Sequence, residues 1–148
     1  MTVRRIWTSL LIVVLSVSGV AVAADVLVNS EREQLDGFVD AVTHGRLEQR
    51  LDGALGFVDP SVVPFRLIQG GDAQEYRADE RGALADAVRG ALGVFDSGEQ
   101  ELLQQAVTVD GERATVTTRM GDSAYEQTVI YDLVRNHDRW LIRRVRTL

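Results

Sequence analysis

The stretch VDGERATVTTRM, Val109 to Met120, decides the fold class of this chain. Asp110-Gly111 predicts a type I′ turn between two antiparallel strands, because such a turn needs residues that accept positive φ. From Arg113 onward, small or apolar side chains alternate with polar ones, which predicts a strand with one buried and one solvated face. The buried face would carry Ala114, Val116, Thr118 and Met120.

Strand patterns continue on both sides of this hairpin. We expect strands over Glu101–Val109, Glu112–Met120, Ala124–Arg135 and Arg139–Arg146. Earlier in the chain, Gly70-Gly71 predicts a two-residue hairpin loop between Val62–Ile68 and Ala73–Arg77. Because Pro64 has no N–H to donate, we expect the first strand of that hairpin at an edge of the sheet.

Helical patterns account for the rest of the domain. The first helix is expected to begin at Ser30, where Glu33 completes a capping box, and to end at Gly45. We expect two more helices, from Leu47 to Val58 and from Asp79 to Ser97. Their apolar stripes need a surface to cover, so three N-terminal helices packed on one face of a mostly antiparallel sheet give an α+β domain.

The first residues of the chain have the pattern of an export signal. Met1 to Arg5 is short and basic, Ile6 to Val20 is largely apolar, and small alanines follow. This predicts a signal peptide over residues 1–24, cleaved near Ala23 or Ala24, and a single domain over residues 25–148. The product would be periplasmic or secreted, and membrane contact would be limited to the signal segment. The alternative is an uncleaved membrane anchor.

Composition excludes several classes of function. The 148 residues include 22 acidic and 16 basic ones, all arginine, and the formal net charge of −6 argues against a nucleic-acid partner. There is no cysteine, which excludes disulfides and thiolate metal sites. With two histidines and no paired motif, we expect no metal and no cofactor.

Two segments of the sequence resemble a known family. Val109–Val116 resembles the central hairpin of the NTF2-like superfamily, and Leu133–Ile142, with its turn followed by Trp-x-Ile, resembles the final hairpin. The resemblance implies a cone-shaped α+β fold with a curved sheet, shared by ketosteroid isomerases and polyketide cyclases. The isomerase branch carries a tyrosine on the first helix. That helix has none here, so the isomerase residues are not carried over.

Three sets of residues are candidates for a functional site. Asp59 is the candidate catalytic carboxylate, although Asp59-Pro60 is also an ordinary helix stop. A ligand pocket, or else an ordinary core, would be lined by Phe38, Phe65, Met120, Tyr131 and Trp140. An anion or partner patch, or else a solvated face paired with Glu126 or Asp132, would consist of Arg143, Arg144 and Arg146. Strand alternation places Arg144 and Arg146 on one face and Arg143 on the other.

These observations leave three functional interpretations. The first is an exported, non-catalytic domain that binds a small apolar ligand or a protein partner. The second is a small isomerase or cyclase, which would need a buried carboxylate with a raised pKa in the cone. The third is a homodimer formed through the back of the sheet.

Overall fold

The computed structural model describes residues 31–93, 101–121 and 125–148. The chain divides into two units between Gln34 and Leu35, and the fold described below is that of Leu35–Leu148. The predicted signal peptide, the Ser30 cap and the predicted end of the third helix near Ser97 lie outside the described residues.

Three α-helices lie close to their predicted positions. Helix α1 covers residues 31–43, and Gly45 follows it with a φ of 90°. Helices α2 and α3 cover Leu47–Gly56 and Arg81–Gly93. Helix α3 begins at Arg81 and not at the predicted Asp79, because Asp79 belongs to a short 3₁₀ turn, Ala78–Glu80, that leads into the helix.

Six strands form one sheet within the described residues. They are β1 (Phe65–Gln69), β2 (Asp72–Tyr76), β3 (Glu101–Asp110), β4 (Arg113–Gly121), β5 (Glu126–Asn136) and β6 (Arg139–Thr147). Their order across the sheet is β2-β1-β6-β5-β4-β3. All neighbours are antiparallel except β1 and β6, which are parallel. The α+β class and the mostly antiparallel sheet are confirmed.

Two details of the predicted strands are wrong. Strand β1 is not an edge strand, because it pairs with both β2 and β6, and Pro64 lies just before its first residue. The turn after β3 is displaced by one residue, since Asp110 pairs with Arg113 and the loop consists of Gly111 and Glu112. Gly111 has a φ of 57°, whereas His137 is the only described non-glycine residue with positive φ. A positive φ at the first loop position alone excludes type I′ and is typical of a type II′ turn.

The core lies between the helices and the inner face of the sheet. The whole apolar stripe of α1 is buried: Leu35, Phe38, Val39 and Val42. The inner face of β4 is buried as predicted, and the register continues it onto β5 through the pairs Ala114–Leu133 and Val116–Tyr131. The backbone N–H of Ile142 donates to the carbonyl of Phe57 at 2.7 Å, which joins the end of α2 to β6. Helix, helix end and sheet therefore enclose one continuous apolar cluster.

Candidate functional site

A small cavity lies between α2, α3 and the inner face of the sheet. Its volume is about 30 Å³, whereas pockets for small molecules measure roughly 300–1,000 Å³. No residue in the lining carries a carboxylate or an imidazole. The lining consists of Ala54, Val58, Phe65, Leu67, Val88, Ala91, Val129, Tyr131, Ile142, Val145 and Thr147. The space is large enough for a water molecule but not for an organic substrate.

The five predicted pocket residues are all buried, but only two of them reach this cavity. Phe65 and Tyr131 contribute to the lining. Phe38, Met120 and Trp140 are buried elsewhere in the same core cluster. Phe38 meets Tyr131 edge-to-face, with ring centroids 5.1 Å apart. These aromatic rings fill space, as expected for a packed core.

Tyr131 is the one ionisable group in the cavity lining. Burial raises the pKa of Tyr131 to about 12, and the nearby Thr118 hydroxyl and Arg50 guanidinium lower it by less. Thr118 Oγ1 is buried and has no hydrogen-bond partner within the described residues. The Thr118 and Tyr131 hydroxyls therefore lie near each other without forming a hydrogen bond. Tyr131 is therefore neutral at physiological pH and can donate a proton in a hydrogen bond but not abstract one.

Asp59, the candidate catalytic carboxylate, lies at the surface after α2. Its Oδ1 accepts hydrogen bonds from the Ser61 hydroxyl at 2.5 Å and the Ser61 backbone N–H at 3.2 Å. Its Oδ2 lies 3.5 Å from Arg139 Nη2, and 24% of its side chain is exposed. The Ser61 hydroxyl, above all, and the Arg139 charge hold the pKa of Asp59 below its usual range, against some desolvation. The carboxylate is ionised at neutral pH and completes a turn.

A row of charged and polar side chains crosses the outer face of the sheet. The registers place the outer row in the order Glu75, Arg66, Arg144, Asp132 and Thr115. Glu75 Oε2 lies 2.9 Å from Arg66 Nη2, and Asp132 Oδ2 lies 2.5 Å from Arg144 Nε. Thr115 Oγ1 donates to Asp132 Oδ1 at 3.3 Å. The two central arginines are thus direct neighbours, with a carboxylate on the far side of each.

An open groove of about 330 Å³ lies at the Arg66 and Arg144 part of this row. We call it the arginine groove, and it is lined by Val63, Pro64, Arg66, Glu75, Arg143 and Arg144. Arg143 reaches it because of an irregularity in β6: Asp132 pairs with Arg144 and Leu133 pairs with Ile142, so Arg143 has no partner in the register. Such a bulge re-aims a side chain.

The predicted arginine patch is therefore rearranged. Strand alternation predicts that Arg143 and Arg144 point to opposite faces of the sheet. The bulge instead lets both side chains line one groove, so this prediction is wrong. Arg146 lies outside this lining, with Nη2 3.8 Å from Asp132 Oδ2. Arg66 was not predicted from the sequence, because its position beside Arg144 depends on the parallel pairing of β1 with β6.

Other candidate chemistry is weak in the described part of the chain. No group of three or more His, Cys, Asp or Glu side chains there could hold a metal ion. His44 Nδ1 lies 3.0 Å from Asp40 Oδ1, and His137 Nδ1 lies 3.0 Å from Asn136 Oδ1.

Across residues 31–93, 101–121 and 125–148, none of the helices combines the length and the apolar character needed to cross a bilayer.

Comparisons with solved structures agree on the fold. An NTF2-like protein with a cystatin-like fold from Novosphingobium aromaticivorans is similar with a TM-score of 0.60 and 15% identity, over 85% of this chain and 86% of that chain. A putative ketosteroid isomerase from Shewanella frigidimarina has a TM-score of 0.56 and 14% identity, over 80% and 94%. A DUF4783 family protein from Bacteroides ovatus has a TM-score of 0.51 and 13% identity, over 75% and 90%.

Sequence comparisons add nothing to this. No protein-family model matches the chain, and no curated protein matches it. The structural similarity, with TM-scores of 0.51–0.60, establishes the fold, whereas identities of 13–15% carry no function with them. The chain has an NTF2-like fold, with helices against one curved, unclosed sheet.

Proposed function

We propose that this NTF2-like domain is an exported, non-catalytic binding module that engages a small ligand or a partner through the outer face of its sheet. The observation that carries the proposal is the contrast between two spaces. The interior cavity has about 30 Å³ and an apolar lining, whereas the arginine groove has about 330 Å³ and a charged one. Only the second lies in the size range of ligand sites.

The isomerase or cyclase interpretation has less support. It needs a buried carboxylate with a raised pKa facing a bound substrate. Asp59 is a surface residue with a lowered pKa, and the cavity lining contains no carboxylate. Tyr131 offers a neutral hydroxyl but no base beside it. A proton transfer in this cavity therefore has no carboxylate or imidazole acceptor among the side chains that line it.

The homodimer interpretation would use the back of the sheet. The outer row is charged there, and Arg119 pairs with Glu126 on the same face. A large, stable homodimer interface is usually more apolar than this. A polar face of this kind suits a small or transient contact better.

Export is the second part of the proposal. It is supported by the basic start, the apolar run and the small residues up to Ala24. The test is to express the full chain in a bacterium, fractionate the cells and determine the N-terminus of the product. We expect a product that begins at Ala24 or Asp25, outside the cytoplasm. The double variant Ala23→Phe/Ala24→Phe should block cleavage, whereas Val20→Phe should be cleaved normally. An unprocessed cytoplasmic protein would contradict export.

The binding mode has its own test, with benzene as a probe for the interior. Benzene fills apolar cavities large enough to hold it, and about 30 Å³ is too small. Amide signals of Val129 and Tyr131 in a ¹⁵N-labelled sample should therefore stay in place as benzene is added. Saturable shifts at these two residues would contradict the proposal, because they would reveal an interior that opens to a ligand.

A further inference from the structure

We propose that the arginine groove binds a small organic dianion, with phosphate or paired carboxylate oxygens facing the arginines and an apolar part against Val63 and Pro64. The inference rests on the proposed function, because it gives the outer face a ligand class. It is carried by the placement of three guanidinium groups around one groove: Arg66, Arg143 and Arg144.

The register of β1 and β6 places two arginines side by side. Arg66 lies directly opposite Arg144, and like charges at directly paired positions destabilise a sheet. Each arginine uses one nitrogen for a carboxylate on its far side, Arg66 Nη2 for Glu75 and Arg144 Nε for Asp132. Within the described residues, the remaining guanidinium N–H groups of this pair have no hydrogen-bond acceptor. An anion between the two side chains would supply acceptors and offset the repulsion.

The bulge in β6 brings a third arginine to the groove. Arg143 is exposed and makes no ion pair or hydrogen bond with any residue that the structure describes. A regular strand would point Arg143 away from Arg144. Bulges are over-represented beside functional sites, where they redirect a side chain. Here the bulge adds a positive charge to a site that already holds two.

The charge and volume of the groove indicate the charge and size of the ligand. Three arginines and one glutamate line the groove, and the charges of Asp132 and Arg146 beside it offset each other. Two negative charges on the ligand would therefore balance the site. About 330 Å³ exceeds the volume of a bare phosphate ion and leaves room for an organic group on Val63 and Pro64. The net charge of −6 repels long polyanions, whereas a small anion responds mainly to charges within about 10 Å. A nucleic acid is therefore disfavoured.

The experiment uses phenyl phosphate as the probe. The purified, ¹⁵N-labelled protein is titrated with phenyl phosphate, inorganic phosphate and phenol in separate series. We expect saturable shifts at the amides of β1 and β6 around Arg66 and Arg144. Phenyl phosphate should bind more tightly than inorganic phosphate, because it adds the apolar contact, and phenol should not bind there. Raising the salt concentration should weaken binding.

Matched arginine variants locate the site. Arg143→Ala should weaken phenyl phosphate binding about 10-fold, the usual scale for one charge-assisted contact. Arg113→Ala removes the same charge from an exposed position outside the groove and should bind like the parent. Equal affinity of Arg143→Ala and the parent would overturn the inference, as would an absence of phenyl phosphate binding. Shifts at Val129 and Tyr131 instead of the groove would overturn the proposed function as well.

Discussion

Tyr131 illustrates how burial, rather than residue type, sets the chemistry of a side chain. The sequence placed it in a strand and left core and pocket open as alternatives. Its inward orientation follows from the register, which pairs it with Val116 on the buried face of β4. Its pKa of about 12 could not be predicted from the sequence, because desolvation depends on every element packed around the hydroxyl.

This pKa predicts a specific dependence of stability on pH. The folded state holds the Tyr131 proton up to about pH 12, whereas the unfolded chain releases it near the ordinary value of 10.0. The stability linked to this proton is therefore intact below pH 10 and is lost as the pH rises toward 12. Between pH 9 and pH 11, the parent should lose about 1 kcal/mol more unfolding free energy than Tyr131→Phe. Urea unfolding, followed by Trp140 fluorescence, measures the difference.

Tyr125→Phe is the control for this measurement. The Tyr125 side chain is about half exposed, so its removal should leave the alkaline fall of the parent unchanged. An identical fall in the parent and in Tyr131→Phe would mean that the Tyr131 hydroxyl is hydrated in the folded state.

The two glycines of α2 differ in their packing, although the sequence alone treats them alike. From the sequence, Gly53 and Gly56 each weaken a helix by about 1 kcal/mol relative to alanine. The structure separates them, because a Cβ on Gly53 would lie 2.7 Å from the carbonyl oxygen of Ala41 in α1, whereas a Cβ on Gly56 would meet nothing within 4 Å. Gly53 therefore permits the close approach of two helices, and Gly56 has no such role.

Alanine at these two positions should have opposite effects. Gly53→Ala should lower the free energy of unfolding by about 1–3 kcal/mol, because α1 and α2 must separate to admit the methyl group. Gly56→Ala should raise it by about 0.5–1 kcal/mol, because the unfolded chain loses conformational freedom. Urea unfolding of the two variants checks both signs. A stabilising Gly53→Ala would show that the two helices pack less closely than described.

Elements were predictable where the pattern that specifies them is local. Alternation in β4, the stripe of α1 and the Gly70-Gly71 loop are each encoded in a few consecutive residues, and all three were predicted. The position of β1 in the sheet was not predicted correctly. A proline argues against a central position only when it lies inside the strand, and Pro64 lies just before the first residue of β1. The bulge at Arg143 has no local sequence signal, since consecutive arginines fit a regular strand equally well.

At the scale of the whole molecule, the order of helices and strands was enough to indicate the NTF2-like fold. The order of helices and strands does not predict which residues form the cavity and the arginine groove. Which residues share a cavity or groove depends on the parallel β1–β6 pair and on how completely the interior is filled. For this reason the predicted pocket residues mostly became core, and the predicted arginine patch lost Arg146 and gained Arg66.

The central claim is that the interior enclosed by the described residues is filled and that ligands meet the outer face. The most direct measurement is a crystal structure of the purified protein grown with phenyl phosphate. The account predicts the phosphate among Arg66, Arg143 and Arg144, with the space beside Tyr131 still near 30 Å³. A ligand lying between the helices and the sheet, in a cavity enlarged to hold it, would contradict the account.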